Sequence, residues 1–400
     1  MADLFWPGDH RAADVMSDDA YLAALVDVEN AWLRVLVEAG VAPTSAAADL
    51  RGVVTPADAP AIAEDAEAGG NPVITLVSLL RERVGGDAAR WLHRGLTSQD
   101  VVDTALMLCL RTALDTVGDQ CTAQVSALLG LTETHRDAPL LARTLTQPAL
   151  PSTAGMKFAG WLSAILDAFD VATGLSTLPV QAGGAAGTMA AATELTGSPE
   201  AALSLTDALA AALGLAPAIP WHTSRSVITR AGDALVTCCD AWGHLASDIA
   251  TGCRSEIGEF TEGRGGGSST MPHKSNPVLS VLLRRAALTA PQLGATLHTA
   301  SAASVDERAD GGWHAEWATL RTLARHTVVA ASQATDLLTN LRFDAERAAA
   351  NLAAAGDLLA EQRSMSELTG RTTASSYLGA TDLIVDRVLQ RGRHHLKEFL

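Results

Sequence analysis

The sequence predicts an all-α protein built around a long central helical bundle, and three observations carry that expectation. Alanine and leucine dominate while aromatic residues make up only 4%, so the core has to come from aliphatic helix-on-helix packing rather than β-branched strands. Proline-free runs such as SQDVVDTALMLCLRTALDTVGDQCTAQVSALLGLTETHRD, from Ser98, carry apolar residues at helical spacing well beyond the usual helix of about a dozen residues. Polar loops punctuate these runs at 92–100, 142–155, 263–277 and 304–317. Long helices joined by short breaks each bury one stripe against their neighbours, which is bundle architecture.

Taken in order, Ser17-Asp18-Asp19 supplies an N-cap and first-turn acids for a helix through Leu22, Leu25, Val26, Val28, Trp32, Leu33 and Leu36, stopped at Gly40. The stretch 42–72 is rich in Pro, Gly and Asp and breaks into short pieces before another helix from about Val73. Residues 1–97 therefore read as a small helical head. Residues 98–341 hold the long runs and read as the central bundle. Residues 342–400 return to short helices punctuated by Gly356, Gly370 and Gly379, a helical tail.

Composition narrows the partners. A formal net charge of −16 argues against a nucleic-acid partner, because phosphate binding needs a basic face. An anionic small substrate stays open, provided that a local basic pocket lies inside the acidic shell. The five cysteines form no Cys-x-x-Cys pair, the N-terminal residues carry acids early with no apolar core, and no apolar run reaches the roughly 20 residues of a membrane span. A cytoplasmic protein is the expectation. No His, Cys, Asp and Glu grouping has metal-ligand spacing, so neither metal nor cofactor is expected.

A rigid helical scaffold commonly carries its chemistry on the joining loops. The segment GRGGGSSTMPHKSNP, 263–277, joins four glycines to two serines, a threonine and Lys274, one of three lysines in the chain. Asn276-Pro277 reads as the start of a helix, whose N-terminus would favour an anion beside Lys274. The pattern suggests a lid that closes on a carboxylate, against a plain surface linker. Ser268 there could transfer a proton if nearby positive charge lowered its proton affinity. In the loop from His93, the hydroxyls of Thr97 and Ser98 and the amide of Gln99 make a carboxylate cradle, where helix capping is the plainer reading. Arg143, Thr144 and Gln147 add a cation and more donors, and Arg308 is a further cation beside Glu307.

Together these loops resemble the fumarase/aspartase superfamily. Ser268-Ser269-Thr270-Met271-Pro272-His273-Lys274-Ser275-Asn276-Pro277 is similar to its signature Gly-Ser-Ser-x-Met-Pro-x-Lys-x-Asn-Pro, and His93-x-Gly-x-Thr-Ser-Gln-Asp and Arg143-Thr144 are similar to two further blocks in order and spacing. The resemblance implies an all-α homotetramer with active sites shared between subunits and a small polycarboxylate substrate. It implies Ser268 as the proton-transferring serine and Lys274 and Asn276 as groups that bind carboxylate and stabilise developing charge. Ser269, His93, Thr97, Ser98, Gln99, Arg143, Thr144, Gln147 and Arg308 would complete the substrate cradle.

Within the superfamily, many lyases carry histidine where this chain has Leu145, and adenylosuccinate lyases carry Arg-His-Asp-Val where it has Gly70-Asn71-Pro72-Val73. These features and the segment Gly311-Gly312-Trp313-His314-Ala315-Glu316-Trp317 look like the branch that cyclises 3-carboxy-cis,cis-muconate to carboxymuconolactone in aromatic degradation. Ser275 stands where many relatives carry arginine, and Asp306 where some carry histidine. The alternative is a lyase that expels ammonia, nitrite or another small group from a succinate-type substrate. A catalytically silent helical scaffold is the reading from another class.

Overall fold

The computed structural model describes residues 3–175, 177–263, 266–267, 270–271, 274–308, 310–372 and 376–399. As the composition predicts, it is all-α, and among the described residues its sheets are two small two-stranded ones. The long runs form the helices Ser98–Thr134, Ala154–Thr173, Ser226–Gly252, Val278–Ala302 and Gly311–Asn340. The chain folds into two compact units. One comprises Met1–Thr116, Ala172–Leu235 and Pro291–Val328; the other comprises Val117–Val171, Val236–Ala290 and Val329–Leu400. The division by chain order into 1–97, 98–341 and 342–400 remains a proposal.

In the first unit the helix Asp18–Glu38 begins as its sequence dictates. Ser17 Oγ accepts the Ala20 amide at 3.1 Å, so the cap satisfies a donor that the helix itself cannot. Its inner stripe places Trp32, Val35 and Leu36 against Val180, Leu205 and Leu209, all buried. Full burial of each such side chain contributes about 1.5–3 kcal/mol.

The second unit gathers its aromatics. Phe158 meets Trp161 and Phe343 at ring-centre distances of 5.3 and 5.9 Å, and Phe260 packs on Phe343 at 5.5 Å. Phe260–Thr261 pairs with Arg342–Phe343 in an antiparallel ladder, which aligns these rings. The stretch expected as the loop 142–155 is instead mostly a hairpin, Pro139–Thr144 antiparallel to Gln147–Thr153 with a register shift between Ala142 and Arg143. Its turn was hard to foresee, because Leu145 and Thr146 take φ of 47° and 71° without the Asn-Gly pair that such turns favour.

Candidate active site

In the first unit, the loop from His93 is built around Asp100. Thr97 and Asp100 form a reciprocal turn: the Asp100 carboxylate accepts the Thr97 amide at 2.9 Å, and the Asp100 amide donates to Thr97 O at 3.0 Å. The same carboxylate accepts the backbone amides of Gly183 and Gly184 at 2.8 and 2.9 Å and pairs with His222 Nε2 at 2.8 Å. A fully buried carboxylate needs this saturation, since each lone pair left dry is costly. Gly183 is required by space, and Gly184 by its φ of 67°. A Cβ on Gly183 would meet His222 Cε1 at 2.7 Å and Pro220 Cβ at 2.9 Å.

On the exposed side, Arg308 donates to Thr97 Oγ1 and to Ala185 O of the glycine loop. Thr97 and Arg308, 211 positions apart, are thus brought together. Gln99 has a different setting. It is fully buried, and its Nε2 donates to His222 O at 2.8 Å and Asp103 Oδ2 at 3.2 Å, so its amide serves the framework beneath the loop.

Beneath Gln99 lies a buried ionic cluster. Arg225 forks onto Asp103 at 2.8 and 3.0 Å and onto Glu316 at 2.6 and 3.0 Å, while Trp313 Nε1 donates to Asp103 at 2.9 Å. Burial holds the Glu316 pKa above the ordinary carboxylate range against the pull of Arg225. Two acids facing one guanidinium satisfy most of its fixed donors.

The second unit carries the other loops. Gly266 and Asn276 exchange backbone hydrogen bonds at 2.8 and 2.9 Å, which clasps the two ends of the intervening segment. Gly266 can be nothing larger, since a Cβ would lie 2.1 Å from Val278 Cγ2. Gly263, at φ 72°, passes so close to Asn340 O that a Cβ would sit at 2.3 Å. At least these two glycines therefore serve close approach, a role the linker reading of this stretch did not include. The helix opens at Val278, one residue past the Pro277 start that the sequence suggested. Its first-turn donors are also already used: Glu262 accepts the amides of Leu279 and Ser280 at 3.0 and 2.7 Å and the Ser280 hydroxyl at 2.6 Å. The anion expected at this helix end is a side chain of the protein itself.

Arg143 forks onto Glu259 at 2.8 and 3.1 Å, and Asn351 adds a donor to that carboxylate at 2.9 Å. The hairpin tip beyond it, Thr144 to Gln147, is exposed, with Leu145 at 96%. Lys274 is exposed and Asn276 half-buried. Ser268, Ser269 and His273 lie outside the described residues. His93 and Ser98 are both half-buried near Thr97.

Sequence reasoning missed Asp100, His222, the Gly183–Gly187 turn, Glu259 and Glu262. The run Gly183-Gly184-Ala185-Ala186-Gly187 was a usable signal for a tight backbone approach. The pairs of Asp100 with His222 and of Glu259 with Arg143 had none, because these partners lie 122 and 116 positions apart.

The profile of the lyase family matches residues 21–291. The chain belongs to this family. It is an enzyme of the lyase superfamily, with relatives among the cycloisomerases. It is 42% identical over 367 residues to the nitrosuccinate lyase of Streptomyces davaonensis, a match covering 88% of this chain and 77% of that protein. To the 3-carboxy-cis,cis-muconate cycloisomerase of Bradyrhizobium diazoefficiens it is 35% identical over 396 residues, 96% of this chain and 86% of that one. Among solved structures, the 3-carboxy-cis,cis-muconate lactonizing enzyme of Pseudomonas putida superposes with a TM-score of 0.83 at 30% identity, covering 96% of this chain and 97% of the other. Family membership agrees with the superfamily resemblance of the sequence motifs. Among the described residues, no helix is long and apolar enough to cross a membrane.

Proposed function

We propose that this enzyme is a 3-carboxy-cis,cis-muconate cycloisomerase, and one observation carries the proposal: Leu145 occupies the exposed hairpin tip where many lyases of the superfamily have histidine. A leucine moves no proton. Elimination of water or ammonia calls for one group to take the C–H proton and another to protonate the leaving group. Intramolecular addition calls for one donor only. A substrate carboxylate oxygen forms the C–O bond to the conjugated alkene, and the alkene electrons pass to the adjacent carbon and its carboxylate. Ser268 gives its proton to that carbon, closing the lactone, and solvent reprotonates the serine.

Lys274 and Asn276 stabilise the enolate-like intermediate, which is charge stabilisation of the oxyanion type. His93, Thr97, Ser98, Arg308, Thr144, Gln147 and Ser269 hold the other carboxylates, in sites shared among the subunits of a homotetramer. The hydrogen bond of Arg308 to Thr97 supports a basic spot within the acidic shell. The contact of His314 Nε2 with Gly70 O at 2.9 Å joins the segment that departs from adenylosuccinate lyases to the segment that looks like the cycloisomerase branch.

A second reading is favoured by the 42% identity to a nitrosuccinate lyase. Nitrite leaves as a stable anion and needs no proton, so its expulsion also requires a single proton carrier. Both substrates should be offered to the purified enzyme, with Ser268→Ala as control. Loss of the diene absorbance of 3-carboxy-cis,cis-muconate in wild type alone supports the cycloisomerase. Release of nitrite from nitrosuccinate, with the diene untouched, replaces it by the second reading.

A further inference from the structure

The turn that precedes Thr97 is held in a way that its own sequence does not require. His93 sits at φ 63°, a left-handed conformation that costs a non-glycine residue stability. Its ring reaches back 64 positions to the helix Asp18–Glu38, where Nδ1 meets Glu29 Oε1 at 2.5 Å. Glu29 is fully buried, and its second oxygen, Oε2, has no hydrogen-bond partner among the described residues. The same turn is pinned twice more. Trp32 Nε1 donates to Arg94 O at 2.7 Å, and Arg81 Nη2 donates to Leu92 O at 2.8 Å.

A buried acid with one dry oxygen and a strained backbone are both costs, and a purely structural turn would be better served by a glycine at 93 and an apolar residue at 29. Strain and unsatisfied buried groups of this kind concentrate at functional sites. The His93 side chain keeps 17% of its surface exposed. With Nδ1 engaged, Nε2 is the nitrogen left to meet a ligand.

We propose that Glu29 is a positioning residue that holds His93 as an imidazolium, Nδ1–H donated to Glu29 and Nε2–H turned to a carboxylate of the substrate. The inference rests on His93 belonging to the carboxylate cradle proposed above and adds Glu29 to its machinery. Electrostatics support it. Burial presses the His93 pKa down, but the charge and hydrogen bond of Glu29, with a smaller pull from Asp100 and a push from Arg81, leave it above the ordinary value. These are the charged groups that face the ring, from the helices Asp18–Glu38, Ser98–Thr134 and Val73–Val84.

The test uses the intact enzyme with its histidines labelled with carbon-13 at Cε1, the His93 resonance being assigned by its loss in His93→Gln. Its titration is followed in wild type, Glu29→Gln and Glu29→Asp, with and without propane-1,2,3-tricarboxylate as an unreactive probe. Glu29→Gln is expected to lower the His93 midpoint by about one pH unit or more. The probe should raise the midpoint in wild type, and Glu29→Asp should restore part of both effects. In steady-state assays with the enzyme's own substrate, KM should rise about tenfold in Glu29→Gln while kcat changes far less.

An unchanged midpoint in a folded Glu29→Gln protein overturns the proposal. A lowered midpoint with KM unchanged also overturns it, because the pair is then a fold element only. Should Glu29→Gln fail to fold, Glu29→Asp decides alone by the same two readouts. Absence of turnover with 3-carboxy-cis,cis-muconate, alongside a His93 response to the probe, would remove the substrate assignment and leave the Glu29–His93 inference standing.

Discussion

The helices Ser98–Thr134 and Gly311–Asn340 are tied by buried polar contacts in both units, and the two ties are chemically unlike. In the first unit, Asp103 on one helix and Glu316 and Trp313 on the other meet through Arg225. In the second, Gln124 donates to Ala331 O at 3.0 Å and accepts from Trp242 Nε1 at 2.8 Å, with no charge involved. A neutral tie tolerates small displacements. An ionic tie does not, because separating its members leaves bare charge in a dry interior. The ionic version lies beneath Gln99 and Asp100, where the loop bearing Thr97 has to be placed, and the neutral version lies where the described contacts serve packing. The difference teaches that this pair of helices is fixed by buried charge beneath the loop proposed to hold substrate and by neutral contacts at Gln124.

Replacing Arg225 with Met should break the comparison most severely. Asp103 and Glu316 would be left buried without their cation, a loss of about 3–5 kcal/mol in urea denaturation. A loss below about 1 kcal/mol would mean that the cluster is hydrated and the contrast is false. Asp100→Asn keeps the shape but replaces an acceptor oxygen with a donor facing backbone amides. It should cost about 1–3 kcal/mol in the same assay, with activity falling further than stability because Thr97 moves. Trp242→Phe in the neutral tie leaves Gln124 Oε1 dry and should cost about 1–2 kcal/mol with the site intact; equal damage to kcat/KM from this variant would contradict the division of labour.

Thr146→Gly relaxes a β-branched residue from positive φ and should raise stability by up to about 1 kcal/mol, while lowering activity if the rigid hairpin tip belongs to the site. The smallest effect concerns pH. The folded His93 pKa lies above its unfolded value near 6.5, so the stability it contributes is full below about 6.5 and declines as pH rises through the raised folded value. Stability measured from pH 6 to 9 should show this decline in wild type, and Glu29→Gln should flatten it.

How much could be read beforehand follows the range of the signal. The Ser17 cap and the stripe from Leu22 to Leu36 were legible because cap and periodicity act within a few residues. The loops proposed to carry the site were legible because their polar composition stands out against an apolar chain. The hairpin at 139–153 was not, since Leu145-Thr146 lacks the chemistry of its own turn. Nor were Glu29, Asp100, Arg225 and Glu259 as partners, because a pairing over 64 to 122 positions leaves no local pattern. Gln99 and Arg143 were recognised as polar and placed in the cradle. Burial against Asp103 and the fork onto Glu259 are tertiary facts that no spacing encodes.

The two units are mosaics, and their boundaries fall inside the helices of the long runs. During synthesis, the first 116 residues of the opening unit wait for a closing segment that ends at Val328, roughly 200 residues later. At ribosomal rates of about 5–20 residues per second, that wait lasts roughly 10–40 seconds. Trp32 and Leu36 find the far side of their own core sooner, once Val180, Leu205 and Leu209 have been made. The opening unit therefore gains its apolar packing in stages, and the surface left bare between them is of the kind that chaperones shield.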